Sequence, residues 1–144
     1  MNLQPYFEHF LPFMVRFILG SLFFFQAYDK LFRIGMHNTY EAIYPEYLHR
    51  NVPKWFIKLS VWCSTYIEIM GGALLIVGLF KPLTIMFLGI NLMMVTVGFS
   101  FLKGVWNMEH VFPRLILLII LYFIPFHWDV FTLDHLIGIH LMAQ

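Results

Sequence analysis

Charged side chains are scarce in this chain. They make up 12% of its 144 residues, and the net charge is +1, whereas a typical soluble domain carries roughly 25% charged residues. Nucleic-acid binding needs a concentrated patch of Lys and Arg, so this charge balance argues against a nucleic-acid partner. The rest of the chain is strongly apolar, with 60% hydrophobic residues, 17 Phe and a mean hydropathy of +0.76.

Cysteine is nearly absent as well. The single Cys63 excludes a disulfide within the chain and thiol–disulfide exchange between two of its own cysteines. The seven histidines are placed towards the ends of the apolar segments, and no HxxxH pair or Cys/His cluster occurs. A bis-histidine haem would need histidines at matching depth inside the helices, so we expect neither a haem nor a metal site.

The most informative apolar run surrounds one carboxylate. In the segment Tyr66–Pro82, residues Ile67–Phe80 are apolar or small except for Glu68, so a helix here would have no polar face to turn to water. Such a helix lies either in the core of a large protein or in a membrane, and this chain is too small to bury several in water. The sequence therefore predicts an integral membrane protein in contact with the lipid bilayer.

Four segments of this kind fit the chain. With about 20 residues per span, we expect an all-α, integral membrane four-helix bundle in a single domain, residues 1–144, with spans at about 11–28, 58–79, 83–101 and 110–126. The turn at Lys81 and Pro82 is short, so the second and third spans are expected to be antiparallel neighbours.

The one long connection joins the first and second spans and is rich in aromatic residues. Such rings favour the lipid headgroup layer. We therefore expect a partly helical connection at the membrane surface, with short helices near Asn38–Ile43 and from Pro53 onward. A C-terminal interfacial helix is also expected, because Thr132 can cap a helix with one apolar face: Leu133, Leu136, Ile137 and Leu141.

The distribution of basic residues predicts an orientation. Four spans place both termini on one side with Lys81, while the long connection shares the other side with most of the Lys and Arg residues. The positive-inside rule then puts the long connection in the cytoplasm and both termini outside. The N-terminal stretch has no Lys or Arg before its apolar run and no small-residue cleavage pattern, so we do not expect a secretory signal peptide.

Several segments, taken in order, resemble the DoxX family of small bacterial membrane proteins. They are RFILGSLFFFQAYDKLF (Arg16–Phe32), EIMGGALLIVGLFKPLT (Glu68–Thr84), Glu109 before the last span and FTLD (Phe131–Asp134) after it. One departure precedes Lys30, where the family often has glycine and this chain has the bulkier Gln26, Ala27, Tyr28 and Asp29. This difference disfavours a close backbone approach at that point.

The resemblance implies a four-helix bundle in the bacterial cytoplasmic (inner) membrane, next to redox chemistry. Relatives are subunits of thiosulfate:quinone oxidoreductases or membrane partners of sulfur and oxidative-stress enzymes. The cofactor so implied is a quinone. The chain lacks a redox-active group of its own apart from Cys63, which favours an accessory subunit over a stand-alone enzyme.

The polar residues within the spans form the candidate site. Inserting an ionisable side chain into the centre of a bilayer costs at least roughly 2.5–3.5 kcal/mol, so such a residue in a span is a candidate functional residue. We expect one site between the first two spans, with Glu68 as proton acceptor or quinone hydrogen-bond partner, comprising Arg16, Gln26, Lys30, Glu68 and Asn91. Glu68 lies about 9 Å of helix rise from both Arg16 and Lys30. A second, interfacial group comprises Asp29, Glu109, Arg114 and Asp134.

Two interpretations of these residues stay open. In one, the protein is a redox subunit that binds a quinone or passes a proton at Glu68. In the other, it is a non-catalytic anchor, assembly or stabilising subunit of a larger membrane complex, or a homo-oligomer, and the polar residues form a buried ion pair that fixes the helix register.

Overall fold

The structure, a computed structural model, describes residues 4–48, 51–102 and 111–137. The main helices are α1 (Gln4–Tyr28), α2 (Met36–Leu48), α3 (Lys54–Val77), α4 (Lys81–Leu102) and α5 (Phe112–Phe123). A π-helical turn, Asp29–Arg33, extends α1, and a 3-10 turn, Phe126–Trp128, precedes the short α6, Leu133–Ile137. The predicted all-α class is confirmed, because no strand occurs in these three stretches.

Three of the described helices are long and apolar enough to cross a membrane: Phe7–Arg33, Lys54–Val77 and Lys81–Gly98. Helix α5 is also apolar, but its 12 residues are fewer than the about 20 that a span needs. The predicted fourth span, 110–126, thus holds a shorter helix, and its first residue lies outside the described residues. Glu109 and Leu141 also lie outside them.

The helices pack around α1 and α3, which share the most extensive contact; α4 packs on α3, and α5 packs on α1 and α4. Their buried apolar side chains recur every three or four residues, so each helix turns one stripe inward. The opposite faces carry large exposed apolar side chains, as expected of helices that face lipid. The core comprises mainly Val15, Leu19, Phe23, Leu75, Leu88, Leu92, Leu118 and Leu121.

Two glycines set the distance between α1 and α3. A Cβ atom on Gly72 would lie 2.6 Å from the backbone nitrogen of Phe24 and 2.8 Å from the carbonyl oxygen of Gly20. Small residues at such positions let two membrane helices approach closely. The close approach thus occurs at Gly20, before the bulkier residues that precede Lys30.

The turns at the helix ends follow the local sequence. Helix α3 ends at Gly78, whose positive φ of 76° suits glycine, and its N–H binds the carbonyl of Leu74 at 2.8 Å. Helix α4 starts directly afterwards at Lys81. In the long connection, α2 covers the predicted 38–43 helix. At α6, the hydroxyl of Thr132 accepts a hydrogen bond from the N–H of His135 at 3.1 Å, which confirms the predicted cap.

Candidate functional site

Buried charges in the described residues form two clusters at opposite ends of α1. Arg16, Glu68, Lys81 and Asp129 are all at least 96% buried. Arg16 and Lys30 are 14 residues apart on α1 and its extension, which corresponds to about 21 Å of helix rise. Each of these two cations belongs to a different cluster.

The first cluster, called here the glutamate cluster, comprises Lys30, Ser64, Glu68 and Asn91. The ammonium of Lys30 donates to Oε2 of Glu68 at 2.6 Å. Oε1 of the same carboxylate accepts from the Ser64 hydroxyl at 3.3 Å and from the Asn91 amide at 3.5 Å. Both carboxylate oxygens therefore have donors, as a buried carboxylate requires.

The backbone of two elements brings this pair together. Glu68 lies on the buried face of α3 with Thr65, Gly72 and Leu75, at helical spacing. Lys30 lies on the π-helical turn, where the N–H of Ile34 binds the carbonyl of Asp29 five residues earlier, at 2.8 Å. Helical side chains lean towards the N-terminus of their own helix. Because α1 and α3 are antiparallel, Lys30 and Glu68 lean towards each other.

A cavity of about 440 Å³ lies along α1 and its π-helical extension, with Arg114 of α5 on its other side. Its polar residues are Gln26, Asp29, Arg114 and Ser21, and its apolar wall is formed by Phe17, Ile18, Leu22 and Phe25. Oε1 of Gln26 is buried and has no hydrogen-bond partner in the structure. A buried acceptor without a partner is costly.

Arg114 links the cavity to the glutamate cluster. Its guanidinium lies over the ring of Phe23, 5.6 Å from the centroid, and its charge interacts with that of Glu68. None of the ion pairs found in the described part of the chain involves Arg114. The Arg114 guanidinium is therefore held at the cavity by the ring of Phe23 and by the more distant carboxylate of Glu68. Its N–H groups can donate hydrogen bonds to a ligand.

The second cluster, called here the terminal cluster, comprises Arg16, Lys81, Asp129 and Asp134. Oδ2 of Asp129 lies 3.2 Å from Nε of Arg16 and 2.8 Å from Nζ of Lys81. Arg16 also donates to the carbonyls of Leu75 and Ile76, each at 2.8 Å, and to that of Phe131. These bonds satisfy carbonyls at the C-terminal end of α3, where a cation is favoured.

Asp134 ties the C-terminal segment to the α3–α4 turn. Its carboxylate accepts from the backbone N–H groups of Phe80 at 3.0 Å and Lys81 at 3.2 Å, at the start of α4. Its own N–H binds the carbonyl of Gly78 at 3.2 Å. The terminal cluster thus fastens residues 129–134 onto the helices, although Nε of Arg16 and Oδ1 of Asp129 are buried without a hydrogen-bond partner.

The predicted site residues are divided between these places. Lys30, Glu68 and Asn91 lie together, and Gln26 lines the adjacent cavity. The structure does not bring Arg16 to them: it pairs with Asp129, because its side chain leans towards the N-terminus of α1, away from Glu68. Of the second group, Asp29 and Arg114 line the cavity, Asp134 joins the terminal cluster, and Glu109 is not described.

Sequence reasoning missed Asp129, Lys81 as a buried cation, and Ser64. Asp129 lies in a segment that resembles a loop, beyond Pro125, but it is one of few charges there. A buried Arg16 needs a carboxylate partner. This requirement is the feature of the sequence that could have identified Asp129. In residues 4–48, 51–102 and 111–137, no group of three His, Cys, Asp or Glu side chains could hold a metal ion.

Comparison with known proteins gives one family. The family model described as DoxX matches residues 11–102, which run from within α1 to the end of α4 and include all of the glutamate cluster. Neither the curated proteins nor the solved structures gave a match.

Proposed function

The chain belongs to the DoxX family of membrane proteins, and we propose that it is an accessory membrane subunit of redox chemistry, which binds a quinone in the cavity between α1 and α5 or handles a proton at Glu68, between α1 and α3. Glu68 is the central residue of this site. The observation that carries the proposal is the Lys30–Glu68 pair with its buried carboxylate, together with the α1–α5 cavity, whose Arg114 interacts electrostatically with Glu68. Intramembrane ionisable residues are costly and tend to mark functional sites.

The cavity fits a quinone head group in size and polarity. Its volume of about 440 Å³ lies within the range of about 300–1,000 Å³ that is usual for ligand sites. Phe17, Leu22 and Phe25 supply an apolar wall open to the lipid-facing side, which suits a ring with an isoprenoid tail. Arg114 can donate to a carbonyl oxygen, and Oε1 of Gln26 can accept from a hydroxyl.

When bound, a quinone supplies two-electron chemistry coupled to proton uptake and release. The protein's own residues would orient the ring and hold the proton. Arg114 would bind the oxygen at one end of the ring. Two carboxylates could accept or return a proton: Asp29, which lines the cavity, and Glu68, whose charge interacts with that of Arg114. Lys30 donates to one oxygen of Glu68, and Ser64 and Asn91 donate to the other.

The first test measures quinone in the purified protein. The full chain is extracted from bacterial membranes in a mild detergent, and retained quinone and stoichiometric protein partners are identified by mass spectrometry. We expect quinone in the wild type and about tenfold less in Arg114→Gln, as for loss of a charged hydrogen bond. The matched control, Arg33→Gln, removes an exposed cation outside the cavity. A stable partner without quinone would overturn the proposal.

A non-catalytic anchor or assembly subunit is the second candidate. It is favoured by the fact that Glu68 already has donors on both oxygens. If the pair serves function, Glu68→Gln should accumulate in the membrane as well as Glu41→Gln, an exposed control, but lose quinone or partner activity. If the pair serves stability, Glu68→Gln should fail to accumulate.

Several finer features belong to the same proposal. The three long helices and α5 would form a four-helix bundle in the bacterial inner membrane, as a single domain, with α6 starting an interfacial helix. The long connection containing α2 would face the cytoplasm, because it carries most of the basic residues. The partner would be another subunit of a membrane complex or a second copy of the chain.

A further inference from the structure

A second cavity, separate from the glutamate cluster, lies where α2 meets the start of α3. Its volume is about 430 Å³. Met36, His37 and Tyr40 line it from one face of α2, at spacings of one and three residues. Lys54, Trp55, Lys58 and Trp62 line it from one face of α3, where three- and four-residue spacings bring side chains together.

The charge of this cavity is entirely positive or neutral. Of the described residues that line it, Lys54 and Lys58 are charged and none is a carboxylate. Two like charges four residues apart on a helix repel each other. Neither lysine is part of an ion pair within residues 4–48, 51–102 and 111–137. Lys54 instead lies over the ring of Tyr44, at 4.9 Å. The cavity therefore presents two ammonium groups to an anion.

The position of the cavity indicates where the anion comes from. Trp55 and Trp62 are exposed, and aromatic rings of this kind mark the lipid headgroup layer. Beyond them, the exposed face of α3 continues as Leu59 and Tyr66 into the apolar span. An occupant can thus place an anionic group at the lysines and an apolar chain along α3.

We propose that the cavity between α2 and α3 binds the phosphate headgroup of an anionic phospholipid, with Lys54 and Lys58 contacting the phosphate and Trp55 and Trp62 packing beside the glycerol and acyl chains. Pockets that combine basic residues with the membrane boundary bind such headgroups in this way. A free phosphate ion could bind the two lysines in the same way, but it would not contact the apolar wall. The site lies on other residues than the quinone cavity, so it stands independently of the proposed function.

Fluorescence quenching by brominated lipids tests this site. The full chain is reconstituted in phosphatidylcholine vesicles with small amounts of either brominated phosphatidylglycerol or brominated phosphatidylcholine. Bromine quenches tryptophans that it contacts, and Trp55 and Trp62 line the cavity. We expect stronger quenching by phosphatidylglycerol in the wild type. The preference should fall about fivefold for each lysine removed, in Lys54→Gln and Lys58→Gln.

Three controls assign the effect. Arg33→Gln removes an exposed cation that does not line the cavity, and it should keep the preference. The charge-preserving pair Lys54→Arg and Lys58→Arg should also keep it, which separates loss of charge from loss of fold. Equal quenching by the two lipids in the wild type would overturn the proposal. Loss of the preference on adding millimolar inorganic phosphate would assign the cavity to a free anion instead.

Discussion

At the scale of single residues, every buried charge of the described core has an opposite charge close by. Glu68 lies 2.6 Å from Lys30, and Asp129 lies within 3.2 Å of both Arg16 and Lys81. Removing one partner of such a pair leaves an uncompensated charge in an apolar environment, which costs about 3–5 kcal/mol. Exposed pairs behave differently, because water screens them.

This difference predicts the effect of Asp129→Asn. The change leaves Arg16 and Lys81 without their shared carboxylate, so we expect unfolding in detergent to become easier by about 3–5 kcal/mol. The matched control is Asp29→Asn, which removes the carboxylate of an exposed pair with Arg33 at 3.9 Å and should cost no more than about 1 kcal/mol. Thermal unfolding of both variants measures the difference. Equal losses of stability in the two variants would mean that the terminal cluster does not stabilise the fold more than an exposed ion pair does.

Part of this pairing could be predicted from the sequence. Glu68 stands out because it is the only carboxylate in its apolar run, and Asn91 follows from helix packing. The choice between Arg16 and Lys30 could not be made from depth alone, since both lie at a similar distance along the helix. The partner of Glu68 depends on the direction in which side chains lean along a helix. It also depends on the π-helical turn at Asp29–Arg33, which no sequence pattern predicted.

At the scale of elements, the contact between α1 and α3 positions the candidate site. The two glycines at the crossing place the backbones in contact, and Lys30 and Glu68 lie on the same two helices towards the long connection. The sequence alone could not say which glycines meet. That depends on the relative rotation of the helices, which is set by tertiary contacts.

Gly72→Ala tests this contact. Its new Cβ would meet backbone atoms of Phe24 and Gly20 below 3.0 Å, so α1 and α3 must separate, at a cost of about 1–3 kcal/mol. The control is Gly89→Ala in α4, whose Cβ would meet only Leu118, at 3.4 Å. It should be neutral or stabilising, because alanine favours helix. Thermal unfolding should separate the two variants; equal melting temperatures would contradict the close-contact role.

At the scale of the whole molecule, the described helices carry polar groups at three separate places. The terminal cluster fastens the C-terminal segment, the glutamate cluster links α1 to α3 and α4, and the α2–α3 cavity carries Lys54 and Lys58. The composition and the apolar runs predicted a helical membrane protein, because apolar runs of this length are typical of membrane-spanning helices. The division of the charges into clusters could not be predicted, since it arises only when distant segments, such as Asp129 and Arg16, come together.

Labelling with a photoreactive benzoquinone analogue tests the proposed site most directly. The wild-type chain in vesicles is illuminated with the analogue, and labelled peptides are mapped by mass spectrometry with and without excess natural quinone. We expect competed labelling on α1 between Phe17 and Asp29 and on α5 around Arg114, the walls of the cavity beside Glu68. Labelling that is spread over the lipid-facing surface of α4, or that natural quinone does not displace, would contradict a quinone site between these helices.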